Sequence, residues 1–286
     1  MERRTKLLAG ALAIGVAGLS LLSGSVYAKN GHHDDDDDDG DHRKVCRGLP
    51  GHGALEAALD AAVATETSGL DFEMWATIVN RDGEVCAVAF SGGTGKKSER
   101  GLQWPGSRVI SAQKANTANA FSLDGLALST ANLYSAVSPG GSLYGLQHSN
   151  PVDTKAAYGG QSKNNGQAND PMVGQKVGGV NVFGGGLGLY VVKGPNKRVV
   201  GGLGVSGDTS CADHMIAWRV RDNLGLDNLS GVGGVAALFN ADPTHPDNII
   251  YDITPQAGQQ EGVSTSGFGH PTCLNTGDEA LLPAVQ

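Results

Sequence analysis

The chain has 286 residues, 44 of them glycine, with 5% aromatics and a formal net charge of −8. That length fits one domain with added segments, and the glycine content points to many turns and close backbone approaches. The acidic balance argues against nucleic acid and against adsorption on anionic lipid, since both need clustered cations.

Residues 1–28 read as an export leader. Arg3, Arg4 and Lys6 precede the apolar run Leu7 to Leu22, and Val26-Tyr27-Ala28 forms a small-residue cleavage site. Cleavage predicts an exported protein, periplasmic or extracellular, without membrane insertion. It also moves the formal charge from −8 to −10, because Glu2, Arg3, Arg4 and Lys6 are lost. Residues 29–45 follow as a linker with six consecutive aspartates, which repel one another and bury nothing. His32, His33, Asp34 and Asp36 are metal candidates there, of weak affinity because nothing fixes their geometry.

Four cysteines, Cys46, Cys86, Cys211 and Cys273, match no zinc spacing. In an exported chain an even count predicts two disulfides with three possible connectivities, of which Cys46–Cys86 with Cys211–Cys273 is preferred.

The folded part begins with an alanine-rich helix, Ala54 to Thr67, whose stripe is Leu55, Ala58, Leu59, Ala62 and Val63. A hairpin follows, with strands Phe72 to Val79 and Val85 to Phe90 about an Asn80–Gly83 turn. Ser107 to Phe121 is a helix whose Ala112, Ala115, Ala118 and Ala120 permit close approach to a sheet or a neighbouring subunit. Residues 122–177 read as a polar insertion, unusually long for a loop and so a candidate for binding or assembly.

The chain is organised around Val177 to Val220. It contains a glycine loop, a strand Leu187 to Lys193, a turn, a strand Arg198 to Val205, and a helix capped by Asp208, Thr209 or Ser210. The remainder, 225–286, has no sustained periodicity. Ile249 to Ile253 is a candidate added strand, and the rest reads as a disulfide-fastened extension packed on a domain spanning 46–224.

Four segments in this order resemble the GlcG/HbpS-like family, formerly DUF336: Ala76-Thr77-Ile78-Val79-Asn80-Arg81-Asp82-Gly83, the helix from Ser111-Ala112-Gln113-Lys114-Ala115 to Phe121, Phe183-Gly184-Gly185-Gly186-Leu187, and Val200-Gly201-Gly202-Leu203-Gly204-Val205-Ser206-Gly207. The resemblance implies an α+β fold, an antiparallel five-stranded sheet flanked by helices in a profilin-like arrangement, in a homo-oligomer. It also implies haem-related work. Haem needs an apolar slot, an axial donor and cations for its propionates.

Cofactor-binding candidates are therefore His214, His148, Lys114, Phe183, Gly184, Gly185 and Gly186. His52 and Tyr144 are further axial candidates, and Arg108 and Arg219 further propionate partners. The glycine loop precedes a strand rather than a helix, so it is not a phosphate cradle. It reads as a turn entering the hairpin, or as a flat wall for a planar ligand. No Gly-x-Ser-x-Gly elbow, His-Glu-x-x-His or close carboxylate pair occurs. The reading is an exported haem- or tetrapyrrole-binding protein in uptake, storage or sensing, more a binder than an enzyme. The alternatives are a haem-degrading or small-acid-processing enzyme, and a structural oligomer without cofactor.

Overall fold

The computed structural model describes residues 45–93, 104–255, 257 and 262–286. The leader, nearly all of the Asp/His linker and its candidate ligands His32, His33, Asp34 and Asp36 lie outside the described residues. No helix among the described residues is long and apolar enough to cross a membrane.

Two hairpins build the main sheet. Strands β1 (Trp75–Asn80) and β2 (Val85–Phe90) form the first, and β3 (Gly186–Lys193) and β4 (Asn196–Ser206) the second. They join where β1 pairs antiparallel with β4, from Trp75 opposite Ser206 to Asn80 opposite Gly201, giving the order β2-β1-β4-β3. This antiparallel platform is the expected one, but it has four strands rather than five. The candidate Ile249 to Ile253 does not join it, because its backbone is engaged elsewhere. The Ile249 carbonyl accepts from Asn240 Nδ2 at 2.9 Å, and the Ile250 carbonyl accepts from the His270 amide at 2.8 Å. Only Ile253–Thr254 is extended, paired with Val263–Ser264 in a separate ribbon.

Helices cover both faces. Because strand side chains alternate, Ala76, Ile78, Leu203 and Val205 face one way, against α1 (His52–Val63) and α3 (Ser210–Asn223). Leu55, Leu59, Met215, Ile216 and Trp218 close that core, at roughly 1.5–3 kcal/mol for each large apolar side chain buried. The α3 start is fixed by Thr209, whose hydroxyl accepts from the Ala212 amide, with Asp213 in the first turn. On the opposite face, Trp75, Val79, Val88 and Phe90 pack against Val109, Ala112 and Ala115 of α2 (Ser107–Phe121) and against Ala157, Met172 and Val177 of the insertion.

The glycine pattern explains how α2 lies so close to the sheet. Gly186 and Gly188 of β3 stand opposite Gly204 and Gly202 of β4. A Cβ on Gly204 would fall on the Ser111 carbonyl oxygen, and one on Gly202 on the Ala115 carbonyl oxygen. The helix backbone therefore rests on the strand backbone with no side chain between, which the alanines of α2 also permit.

The disulfides are Cys46–Cys86 and Cys211–Cys273. The first fastens the segment before α1 to β2, and the second fastens the extension to the first turn of α3. The insertion is less loop-like than its polarity suggests. Short helical turns occur at Thr130–Leu133, Tyr134–Val137, Thr154–Tyr158 and Ser162–Asn164. It is held to α2 by the buried Arg108, which donates to Asp170 through Nε at 2.8 Å and through Nη2.

Candidate functional site

The sheet, α2 and α3 converge on the loop Phe183-Gly184-Gly185-Gly186. Lys114 projects from α2, fully buried, and donates to Asp213 Oδ2 of α3 at 2.6 Å and to the Val205 carbonyl at 3.0 Å. Its ammonium also lies 4.8 Å from the centre of the Phe183 ring. Asp213 accepts through Oδ1 from the amides of Gly207 and Asp208 at 3.0 and 2.9 Å, so the carboxylate joins helix, strand end and loop. Burial pushes the Asp213 carboxyl up to about 6, against the pull of Lys114, and burial also lowers the Lys114 ammonium.

The glycines serve contact here. A Cβ on Gly184 would collide with the Ser210 carbonyl oxygen, and one on Gly185, at φ +110°, with the Val205 carbonyl oxygen. The loop amides are taken up by the two segments outside the hairpins. Gly186 donates to Thr130 Oγ1 at 2.9 Å, while Thr130 donates through that hydroxyl to the Phe183 carbonyl at 2.6 Å. Gly184 donates to His270 Nε2 at 3.3 Å, and His270 Nδ1 faces the Pro271 carbonyl at 2.7 Å. Those partners assign His270 the neutral Nδ1–H tautomer. Burial above all pushes its imidazolium down to about 4.

His214 lies beside this cluster. It is fully buried, and neither ring nitrogen has a hydrogen-bond partner. Burial, with Arg221, His270 and Lys114 nearby, pushes its imidazolium down to about 3, so the ring is neutral at physiological pH. A neutral imidazole is a competent axial donor. The loop nonetheless packs directly on α3 at this point, leaving no space for a planar ligand between them. The closed cluster does not fit a tetrapyrrole.

The structure thus brings His214, Lys114, Phe183, Gly184, Gly185 and Gly186 together, and leaves His148 exposed on a turn of the insertion. Tyr144 is 64% exposed on the same turn. His52 donates through Nδ1 to the Val88 carbonyl, 2.8 Å away. Arg108 and Arg219 are engaged in ion pairs, with Asp170 and Glu66.

Two buried groups escaped the sequence reading. His270 falls in the segment that the sequence reads only as an extension, and its contact to the loop spans 86 residues. Arg221 donates to both carboxylate oxygens of Asp247, at 2.6 and 2.9 Å, and lies 4.5 Å over the Trp218 ring. The i, i+3 spacing of Trp218 and Arg221 on a predicted helix was the only available signal.

Outside the cluster lies a groove of about 670 Å³. Its walls come from the insertion (Tyr134, Ser135, Ser138, Pro139) and the extension (Ile253, Val263, Ser264). It adjoins the cluster through a tilted ring contact, since Tyr134 lies 5.3 Å from His270 at an interplanar angle of 56°, and His270 holds Gly184. In size, in its partly apolar wall and in its phenol donor this groove fits a tetrapyrrole better than the closed cluster does.

Comparison with known proteins adds a family. The model of the HbpS-like family, described as haem degrading protein HbpS-like, matches residues 52–221. No curated protein matches the chain. Among the solved structures that resemble it are two at 23% identity and a TM-score of 0.38. One is Klebsiella pneumoniae protein ORFY, of the DUF336 family, over 61% of this chain and 90% of that one. The other is a complex of PduOC with haem, over 60% of this chain and 89% of that one.

Proposed function

The chain belongs to the HbpS-like family, and from that premise we propose that it binds haem or a related tetrapyrrole outside the cytoplasm, in uptake, storage or sensing. The family match over residues 52–221 carries this reading. We place the ligand in the groove of about 670 Å³, against Pro139, Ile253 and Val263, with the Tyr134 phenol as the axial donor. Ser135, Ser138 and Ser264 line the same groove, with their hydroxyls already donating to the Gly269 carbonyl, the Tyr134 carbonyl and Asp252. When bound, haem would supply an iron held by phenolate, a ligand type that favours the ferric state. His214, Lys114, Phe183 and Gly184–Gly186 form the rigid wall behind the groove, linked to it through His270. Reaching His214 itself would require the glycine loop to part from α3.

Haem titration of the chain lacking residues 1–28 tests this. A saturable Soret band is expected, shifted or lost in Tyr134→Phe and unchanged in His148→Ala. A band insensitive to Tyr134→Phe but lost in His148→Ala moves the ligand to the insertion turn, and no band at all refutes tetrapyrrole binding.

The family description also favours a second reading, haem breakdown. Decay of the Soret band with iron release, on adding a reductant under air, is the outcome that reading requires. A stable band under the same conditions leaves binding alone. Export and self-association of the chain remain part of the proposal, read from residues 1–28 and from the family resemblance.

A further inference from the structure

We propose that the C-terminal extension carries a second ligand site, for a small primary ammonium group, in the cavity between Glu279 and Tyr251. The cavity holds about 350 Å³ and is walled by Asn248, Ile249, Tyr251, Glu279 and Ala280, with Asp242 and His245 at one side. It lies wholly in residues 225–286, beyond the 52–221 family match, and it does not depend on the tetrapyrrole reading.

Its hydrogen bonding is half made. Asn248 Nδ2 donates to Glu279 Oε2 at 3.0 Å, which fixes the carboxyl. Glu279 Oε1 and Tyr251 Oη, both withdrawn from solvent, have no partner. Leaving such atoms unpaired is costly, so a ligand that brings N–H donors to them gains. Asn248 is itself anchored, its Oδ1 accepting from the Ile249 amide at 2.8 Å and its carbonyl from Asn132 of the insertion at 2.9 Å.

The charges specify the class. His245 Nδ1 faces Asp242 Oδ2 at 2.6 Å, and its Nε2 faces the Leu282 carbonyl at 3.3 Å. Both partners are acceptors, and neither ring nitrogen is hydrogen-bonded to Glu279. Glu279 is hydrogen-bonded to no cation: His245 lies near enough to favour its carboxylate but bonds Asp242, and Asp278 adds to the negative field. A monocation completes it. A metal ion fits less well: among the described residues the only convergent ligand set is Cys211, His270 and Cys273, two of which form a disulfide. Ile249 and Ala280 supply a short apolar wall for an alkyl chain.

Burial, helped by Asp278 and opposed by His245 and Asn248, raises the Glu279 carboxyl to about 7. A bound ammonium favours the carboxylate, so below that value binding must first expel a proton. Tyr251 is held neutral by burial throughout, and affinity therefore rises with pH.

Calorimetric titration of the chain with propylammonium chloride tests the site, with 1-propanol and sodium chloride as controls. Saturable propylammonium binding is expected at pH 8, about tenfold weaker at pH 6, as the ionised fraction of Glu279 falls. Glu279→Gln should abolish it, and Tyr251→Phe should weaken it several-fold. If Glu279→Gln fails to fold, the Tyr251→Phe result decides. Absence of binding at pH 8, equal binding of 1-propanol, a pH-independent affinity, or unchanged affinity in both variants overturns the proposal.

Discussion

The glycine-loop cluster and the Glu279 cavity are both polar, partly buried and built around carboxyl groups, yet they differ in how their capacity is used. Around the loop nearly every donor meets an acceptor: Lys114 has two, Asp213 Oδ1 accepts two amides, and the Gly184 and Gly186 amides are both taken up. In the cavity Glu279 Oε1 and Tyr251 Oη point at nothing. The difference teaches that a motif which looks like a ligand wall in sequence serves here as a joint between sheet and helix.

Three substitutions break or sharpen this contrast. Gly204→Val should be the most damaging, costing more than about 4 kcal/mol or preventing soluble expression, since its side chain must displace the α2 backbone. Denaturant midpoints measure this, and a tolerated valine would refute backbone-on-backbone packing. Lys114→Met should cost about 3–5 kcal/mol by leaving Asp213 buried and unpaired, and adding Asp213→Leu should recover part of it. A single variant as stable as the parent would mean the pair is dispensable. Tyr251→Phe stands at the other end: removing an unpartnered hydroxyl should leave the thermal midpoint unchanged or slightly raised, within about 1 kcal/mol. A large loss there would show the cavity to be as fully engaged as the cluster.

The legible parts of the chain were those encoded locally. Both hairpins and the α3 cap were readable because alternation, turn residues and capping act within a few positions, whereas in α2 Ala112, Ala115 and Ala118 are buried as expected but Ala120 is exposed and Lys114 and Asn119 are buried. The Cys211–Cys273 pairing was preferred, not dictated, by sequence. What sequence did not yield depends on distant partners. His270 acquires its role from Gly184, Arg221 from Asp247, and Asn248 from both Glu279 and Asn132. Ile249 and Ile250 look like a strand, but their backbone groups are claimed by Asn240 and His270, so an apolar run alone misled. His214 was found as a candidate donor. Its sealed surroundings were invisible, since they arise from Ser210 and Gly184 meeting across the loop.

The paving of Gly202 and Gly204 against α2 has a mechanical consequence. Where two main chains touch directly, there is no layer of rotatable groups to yield under load, and little internal void to squeeze out. Hydrostatic compression should therefore be absorbed by the softer periphery, around the groove beside Tyr134, while the helix-on-sheet seam moves as one plate.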